Sequence, residues 1–403
     1  MSATGEAAAR ADSSAVSAAS NLPSTGVREW TWLREASGSV ADVGVLVPIA
    51  VALVVVNGLA PTAVLLPAGL AYLAVAVLYR LPVAVQPLKA FGAVVIAVGA
   101  GPDVVAAGAL LMGAVFVLLG LSGWLDPLAR AFPVPVIRGV QLAVALTFAR
   151  IALGLVTDPP RAFTASLALP LAVVITLGVT AILLARPVLA LVAVAAGFAV
   201  AVATAEPGAV LGPTPVVVSW PDAAAFGTAA VLLVVPQLPL TFANSCLAPP
   251  DAARAYFGSR ADRVTPSRLA LSLGSTNLLV GAIGGMPVCH GAGGLSAHHA
   301  AGARTWRAPV FIGGGLVLLA LAAGRGLENV LAAFPLPVLA ALLVVAAVAH
   351  ARLLRDVRGA GPWAVVLVVG VVGVVVNLAL AMAVGLVLHA LLRLIARRRE
   401  ART

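Results

Sequence analysis

Apolar runs follow one another along almost the whole chain, and the breaks between them are short and carry Pro, Gly or Arg. A helix needs about 20 apolar residues to cross the hydrocarbon core of a bilayer. Fourteen runs can be laid out, at about 40–59, 61–79, 87–100, 103–121, 135–155, 167–185, 187–204, 226–247, 268–284, 292–301, 308–323, 335–350, 362–377 and 379–396. The third and the tenth are short. Of 403 residues, 62% are apolar and 10% are charged, whereas a water-facing surface needs roughly 25% charged residues. A soluble chain is therefore excluded, and the fold class is an all-α polytopic membrane protein.

The placement of charge sets the expected topology. The net charge is +10, with 25 Lys and Arg against 15 Asp and Glu. With the N-terminus inside and the runs alternating, Arg150, Arg161 and Arg325 fall outside, Lys89 falls within a run, and the other 21 of the 25 basic residues fall inside. This asymmetry follows the positive-inside rule, so fourteen crossings with both termini cytoplasmic are expected, in the cell (inner) membrane. The arginines stand singly or in short groups rather than on one basic face, which speaks against a nucleic-acid partner. Residues 1–36 read as a disordered cytoplasmic arm, with no apolar core for a secretory signal. The rest divides into a first seven-span repeat at 37–204, an extracytoplasmic linker at 205–225, a second repeat at 226–396 and a basic cytoplasmic tail at 397–403. Cys246 and Cys289 make neither a disulfide framework nor a metal site by themselves.

Two landmarks recur at one spacing. Phe132-Pro133-Val134-Pro135-Val136 opens the fifth run and Phe334-Pro335-Leu336-Pro337-Val338 the twelfth; Gln86-Pro87 precedes the short third run and Met286-Pro287 the short tenth. Both offsets are about 200 residues, as two halves of seven spans would give, and an odd number per half inverts the second half against the first. Short, Pro/Gly-interrupted spans at corresponding positions of inverted repeats mark a substrate site. Irregular backbone at membrane depth is tolerated where it lines a cavity. Two half-helix N-termini facing each other there present unpaired N–H groups and positive dipole ends, an arrangement suited to an anion.

The candidate ligands follow from that picture. Lys89 is the only lysine and lies just inside the third run, where a charge is costly and usually functional; a structural lysine on a backbone carbonyl is the alternative. Gln86 offers two uncharged donors, or a helix cap. In the eighth run Gln237, Thr241, Asn244 and Ser245 are spaced to share one helical face, as substrate ligands or as helix–helix glue; Asn57 is a weaker candidate of the same kind. Gly291, Gly293, Gly294 and Ser296 belong to the start of the tenth run. His290 and Asp42 are candidates for ion coupling, and His290 has a structural alternative. No carboxylate occupies the middle of a run, which suits an anion and suits a cation poorly.

Four stretches carry a resemblance: Ala41-Asp42-Val43-Gly44 before Pro48; Pro82-Val83-Ala84-Val85-Gln86-Pro87-Leu88-Lys89; Pro236-Gln237-Leu238-Pro239-Leu240-Thr241 with Asn244-Ser245; and Pro287-Val288-Cys289-His290-Gly291-Ala292-Gly293-Gly294. They resemble the molybdate transporter family, a branch of the sulfate-permease superfamily, over roughly residues 37–395. Ala41 and Val43 depart from the glycine and leucine common there. The resemblance implies a seven-plus-seven inverted repeat in which a core (runs 1–4 and 8–11) moves against a gate (5–7 and 12–14). It implies secondary transport of a tetrahedral oxyanion, molybdate first and sulfate second, with no cofactor. A co-transported proton or sodium ion stays open, and an apolar gate surface allows a homodimer in the lipid bilayer. The same architecture also serves nucleobase and aromatic-acid permeases, which hold their substrates with buried carboxylates that runs 8 and 10 lack. A channel-like anion path would not require paired broken helices, and no paired carboxylates or nucleophile–base spacing supports an enzyme.

Overall fold

The computed structural model describes residues 32–39, 43–125, 132–164, 167–186, 189–205, 211–216, 218 and 220–400. A helix lies on each apolar run: α2 Val43–Val55, α3 Pro61–Tyr79, α4 Lys89–Val98, α5 Pro102–Ser122, α6 Val134–Thr157, α7 Leu169–Ala185 and α8 Ala190–Thr204 in the first half. In the second half come α9 Ala223–Ala261, α10 Pro266–Ala282, α11 Ala292–Ala300, α12 Arg307–Ala332, α13 Leu336–Arg352, α14 Ala360–Val375 and α15 Leu378–Glu400. Among the described residues, seven of these are long and apolar enough to cross a membrane: α3, α5, α6, α9, α12, α13 and α15. The short α4 and α11 are each preceded by extended backbone, β1 Gln86–Pro87 and β2 Val288–Cys289.

Proline and glycine set the boundaries. Pro61, Pro102 and Pro266 stand at the starts of α3, α5 and α10, where the missing N–H is no loss. Gly99 and Gly123 close α4 and α5 in the left-handed region, which glycine enters without a Cβ penalty. Inside α9, Pro236 and Pro239 break the α-helical ladder. The helix widens into π turns on either side, Ala230–Val234 and Phe242–Leu247. These turns bear on the expected common face of Gln237, Thr241, Asn244 and Ser245. Gln237 and Thr241 stay one α turn apart and bond each other, but Asn244 and Ser245 lie in the second π turn, where the 3.6-residue period no longer applies.

The helices pack in a reciprocal pattern: α3 on α12, α5 on α10, α6 on α13 and α14, and α13 on α7. Small residues allow the close approaches. A Cβ on Gly69 would meet the Gly313 carbonyl oxygen at 2.8 Å, and one on Gly113 would meet that of Gly274 at 2.9 Å, so α3–α12 and α5–α10 touch backbone to backbone.

Two of the segments outside the apolar runs carry structure in their described parts. The expected disordered arm, 1–36, is helical in its described part, α1 Trp32–Ser39. Glu35 is buried there and accepts the backbone N–H groups of Arg304 and Thr305, which fixes α1 beside the α11–α12 connection. Burial, and next the charge of Arg34, hold the Arg304 guanidinium below its ordinary range, with Glu35 opposing. The described part of the 205–225 linker is bonded down. Thr214 and Thr62 exchange backbone-to-hydroxyl bonds, and Arg325 N–H donates to the Gly212 carbonyl.

Candidate functional site

The two broken segments meet. β1 and β2 pair antiparallel, with Gln86 opposite Cys289 and Pro87 opposite Val288. Leu88 N–H donates to the Pro287 carbonyl at 3.0 Å, and Asn277 closes the other side by bonding both N–H and C=O of Val288 at 2.8 Å. The sequence dictates this short ladder, because prolines at 82, 87 and 287 forbid helix there and disfavour helix at the residues before them. The polar backbone is thereby satisfied inside protein, and α4 and α11 begin side by side.

Neither helix start carries a side-chain cap from its own first residues. Lys89 Nζ donates to Gln86 Oε1 at 2.6 Å. That bond fixes the amide, since an ammonium can only donate and must face the oxygen. A Cβ built on Gly291 would lie 2.7 Å from Gln86 Oε1, 3.1 Å from Asn244 Nδ2 and 3.6 Å from Lys89 Nζ. One small volume is thus bounded by an ammonium, two amides and bare glycine backbone. A Cβ on Gly293 would meet nothing within 4 Å, so the volume continues along the start of α11, where Gly294 is buried. The ammonium, the Asn244 amide nitrogen and the two helix starts are donors or positive dipole ends, while the Gln86 oxygen is held by the ammonium; the balance suits a compact oxyanion.

The structure thus brings Gln86, Lys89, Asn244 and Gly291 together, with Gly293 and Gly294 alongside. Gln237 stands behind them. Its Oε1 accepts Phe91 N–H at 2.9 Å and its Nε2 donates to Thr241 Oγ1 at 3.0 Å. It caps the first turn of α4, so its contribution is to hold that helix start in place. Ser296 lies elsewhere. Its hydroxyl bonds Tyr256 and the Ala292 carbonyl, and Tyr256 stacks on His299 with ring centroids 4.3 Å apart. His290 is 1% exposed and bonded through both ring nitrogens. Asn57 donates to the carbonyls of Val95 and Ala100, which ends α4. Asp42 and Ala41 lie outside the described residues.

Sequence reasoning passed over three residues. Tyr79 and Ser272 bond each other at 2.7 Å beside His290; nothing distinguishes them in sequence from ordinary helix-end polar groups. His350, near the end of α13, is buried and within electrostatic reach of Lys89. Its Nδ1 finds no hydrogen-bond partner among the described residues.

The chain is similar to known transporters in both sequence and fold. It is 28% identical to molybdate transporter 2 of Arabidopsis thaliana over 412 residues, covering 89% of this chain and 87% of that protein. It is 43% identical to molybdate transporter 1 of Chlamydomonas reinhardtii over 180 residues, covering 42% of this chain and 34% of that one. In fold it is similar to the transmembrane domain of the cyanobacterial bicarbonate transporter BicA, with a TM-score of 0.57 at 17% identity, covering 92% of this chain and 98% of the other. It is similar also to the murine anion transporter Slc26a9, with a TM-score of 0.59 at 15% identity, covering 94% and 70%. The family model described as "Molybdate transporter of MFS superfamily" matches residues 34–148 and 229–350, more than half of the chain, and the protein belongs to that molybdate transporter family.

Proposed function

We propose that the protein is a secondary active transporter of a tetrahedral oxyanion, molybdate in the first place. In this reading the anion binds between the N-termini of α4 and α11 and alternating access carries it across. The observation that carries the proposal is the meeting of the two broken segments around Lys89, Gln86, Asn244 and Gly291. Lys89 supplies charge, Gln86 and Asn244 supply amides, and the glycines let the anion approach backbone N–H groups, which together replace its hydration shell.

The packing supports two inverted halves of seven. Exchanging each helix of α2–α8 with its counterpart in α9–α15 turns the α3–α12 contact into α10–α5, and α6–α14 into α13–α7, all of which are present. The exchange likewise turns the Gly69–Gly313 approach into Gly274–Gly113. Under this two-fold relation β1 and β2 are counterparts, so the anion lies on the pseudo-axis, where inverted-repeat transporters bind their substrates. The core of α2–α5 and α9–α12 would then rock against the gate of α6–α8 and α13–α15, with both termini cytoplasmic in the plasma membrane.

Uptake of radiolabelled molybdate into vesicles containing the purified protein tests this. We expect uptake that unlabelled molybdate and, more weakly, sulfate suppress, and that uracil and benzoate leave unchanged. Suppression by uracil or benzoate instead would put the substrate in another class.

A further inference from the structure

A chain of hydrogen bonds leaves the pocket from its glycine side. His290 immediately precedes Gly291. Its Nδ1 lies 3.0 Å from the Ala84 carbonyl oxygen and its Nε2 lies 2.9 Å from Ser272 Oγ. Ser272 Oγ lies 2.7 Å from Tyr79 Oη, and Tyr79 Oη lies 2.9 Å from the Arg268 carbonyl oxygen. Tyr79 and Ser272 then line a cavity of about 670 Å³, together with Ser275, Thr276, Arg263 and Arg268. This cavity lies at the ends of α3 and α10 and is separate from the pocket.

Counting protons along this chain gives two states. The Ala84 carbonyl can only accept, so His290 Nδ1 carries hydrogen in both. With neutral His290, Nε2 must accept from Ser272, Ser272 must accept from Tyr79, and the Arg268 carbonyl receives nothing from Tyr79. With protonated His290, Nε2–H donates to Ser272, Ser272 donates to Tyr79, and Tyr79 donates to the Arg268 carbonyl. Every bond is then made, each hydroxyl donating once and accepting once. The Leu269 carbonyl, 3.2 Å from Ser272 Oγ, is the longer alternative for that proton.

We propose that Tyr79, Ser272 and His290 are a proton relay linking that cavity to the anion pocket, and that anion transport is coupled to protons through it. This deepens the anion reading of the pocket and rests on it. One proton from a hydronium ion in the cavity bonds to the Tyr79 oxygen as the hydronium O–H bond breaks, leaving water. The proton formerly on Tyr79 passes to Ser272, and the one formerly on Ser272 passes to Nε2. One proton enters, three O–H or N–H bonds form, two O–H bonds within the chain break, and the gained charge rests on His290. The titratable and charged groups around His290 are Tyr79 from α3, Arg268 from α10, Cys289 beside it, Cys246 from α9 and Lys89 across Gly291. Among the described residues none of these is a carboxylate, and a dianion in the pocket would offset the imidazolium. Anion binding then favours protonation and protonation favours anion binding, by the same factor.

The test uses the purified full-length protein in liposomes that enclose a pH-sensitive dye, with labelled molybdate outside. Dye and label are read in the same vesicles. We expect proton entry to accompany molybdate entry in the wild type. Tyr79→Phe, which removes one hydroxyl, should lower molybdate-driven proton entry about tenfold and abolish the stimulation of uptake by an inward proton gradient, with equilibrium molybdate binding at fixed pH within about twofold of wild type. Ser272→Ala gives the second readout should Tyr79→Phe fold poorly, judged by its gel-filtration profile. Molybdate entry without proton entry in the wild type, or wild-type proton entry in either folded variant, overturns the relay and leaves the anion reading standing. Absence of label uptake for both molybdate and sulfate overturns the anion reading, and the relay with it.

Discussion

β1 leads into α4 through Gln86 and Lys89, while β2 leads into α11 through Gly291, Gly293 and Gly294. The two segments have the same form: extended backbone, then a short helix with no cap from its own first residues. Their chemistry differs. The first contributes side chains, a charge and an amide held together at 2.6 Å. The second contributes space, since a Cβ at Gly291 would run into those side chains. A two-fold axis gives an anion two dipole ends, but two lysines there would repel each other and two glycine runs would bind it weakly. Dividing the work between charge and room resolves the conflict, and each side can be attacked separately.

The largest effect is expected on the charged side. Lys89→Ala removes the ammonium and the donor that orients Gln86. A hydrogen bond to a charged group contributes about 1.5–3 kcal/mol, so molybdate affinity should fall roughly 10- to 150-fold. Binding to detergent-purified protein, read by calorimetry, checks this. An affinity within twofold of wild type would show that helix ends alone hold the anion. Gly291→Ala attacks the other side. The methyl would sit 2.7 Å from Gln86 Oε1, and overpacking of this kind costs about 1–3 kcal/mol. Uptake should fall at least about fivefold, whereas Gly293→Ala, whose methyl meets open space, should stay nearer to wild type. Equal loss in both variants would mean that the glycines serve flexibility and not room.

Gln237→Leu sharpens the comparison one layer back. It leaves Phe91 N–H without its acceptor, while the Thr241 hydroxyl loses one donor and keeps its bond to the carbonyl of residue 237; an unmade buried hydrogen bond costs about 1–3 kcal/mol. The apparent Tm in detergent should drop. Gln237→Glu, which keeps the accepting oxygen, should recover part of the drop. Molybdate binding should weaken less than in Lys89→Ala, because Gln237 acts through the position of α4.

The helices were legible in the sequence because lipid allows a spanning segment few alternatives, and Pro and Gly mark where each must break. The two short segments were legible for the same reason, and with them Gln86, Lys89 and Gly291. What stayed hidden depended on direction and on partners. Asn244 lies in a π turn of α9 and Gln237 in its α-helical part, and no residue pattern announces a π turn. Gln237 looked like a ligand, but its amide points to α4. Tyr79 and Ser272 are unremarkable until α3 and α10 bring them to His290, 211 residues along the chain from one and 18 from the other. α1 has too few apolar residues to register as a run, and it is held by the buried carboxylate of Glu35, by Trp32 against Phe311 and by His298 on the Gly38 carbonyl.

Ser296 gives the smallest expected effect and the sharpest limit on how far the pocket extends along α11. It belongs to the same glycine-led helix as Gly291, and its place in the tenth run made it a candidate ligand. Its hydroxyl is taken up by Tyr256 at 3.1 Å and by the Ala292 carbonyl at 2.9 Å. A hydroxyl already bonded on both sides, beside a partly exposed tyrosine, contributes about 0.5–1.5 kcal/mol to stability when it is lost and little to binding. Ser296→Ala should therefore lower the apparent Tm slightly and change molybdate uptake less than about twofold, well inside the effect of Gly291→Ala. Loss of uptake comparable to Gly291→Ala would carry the anion site a full turn deeper into α11. It would then be the side chains of α11, and not only its open backbone, that meet the substrate.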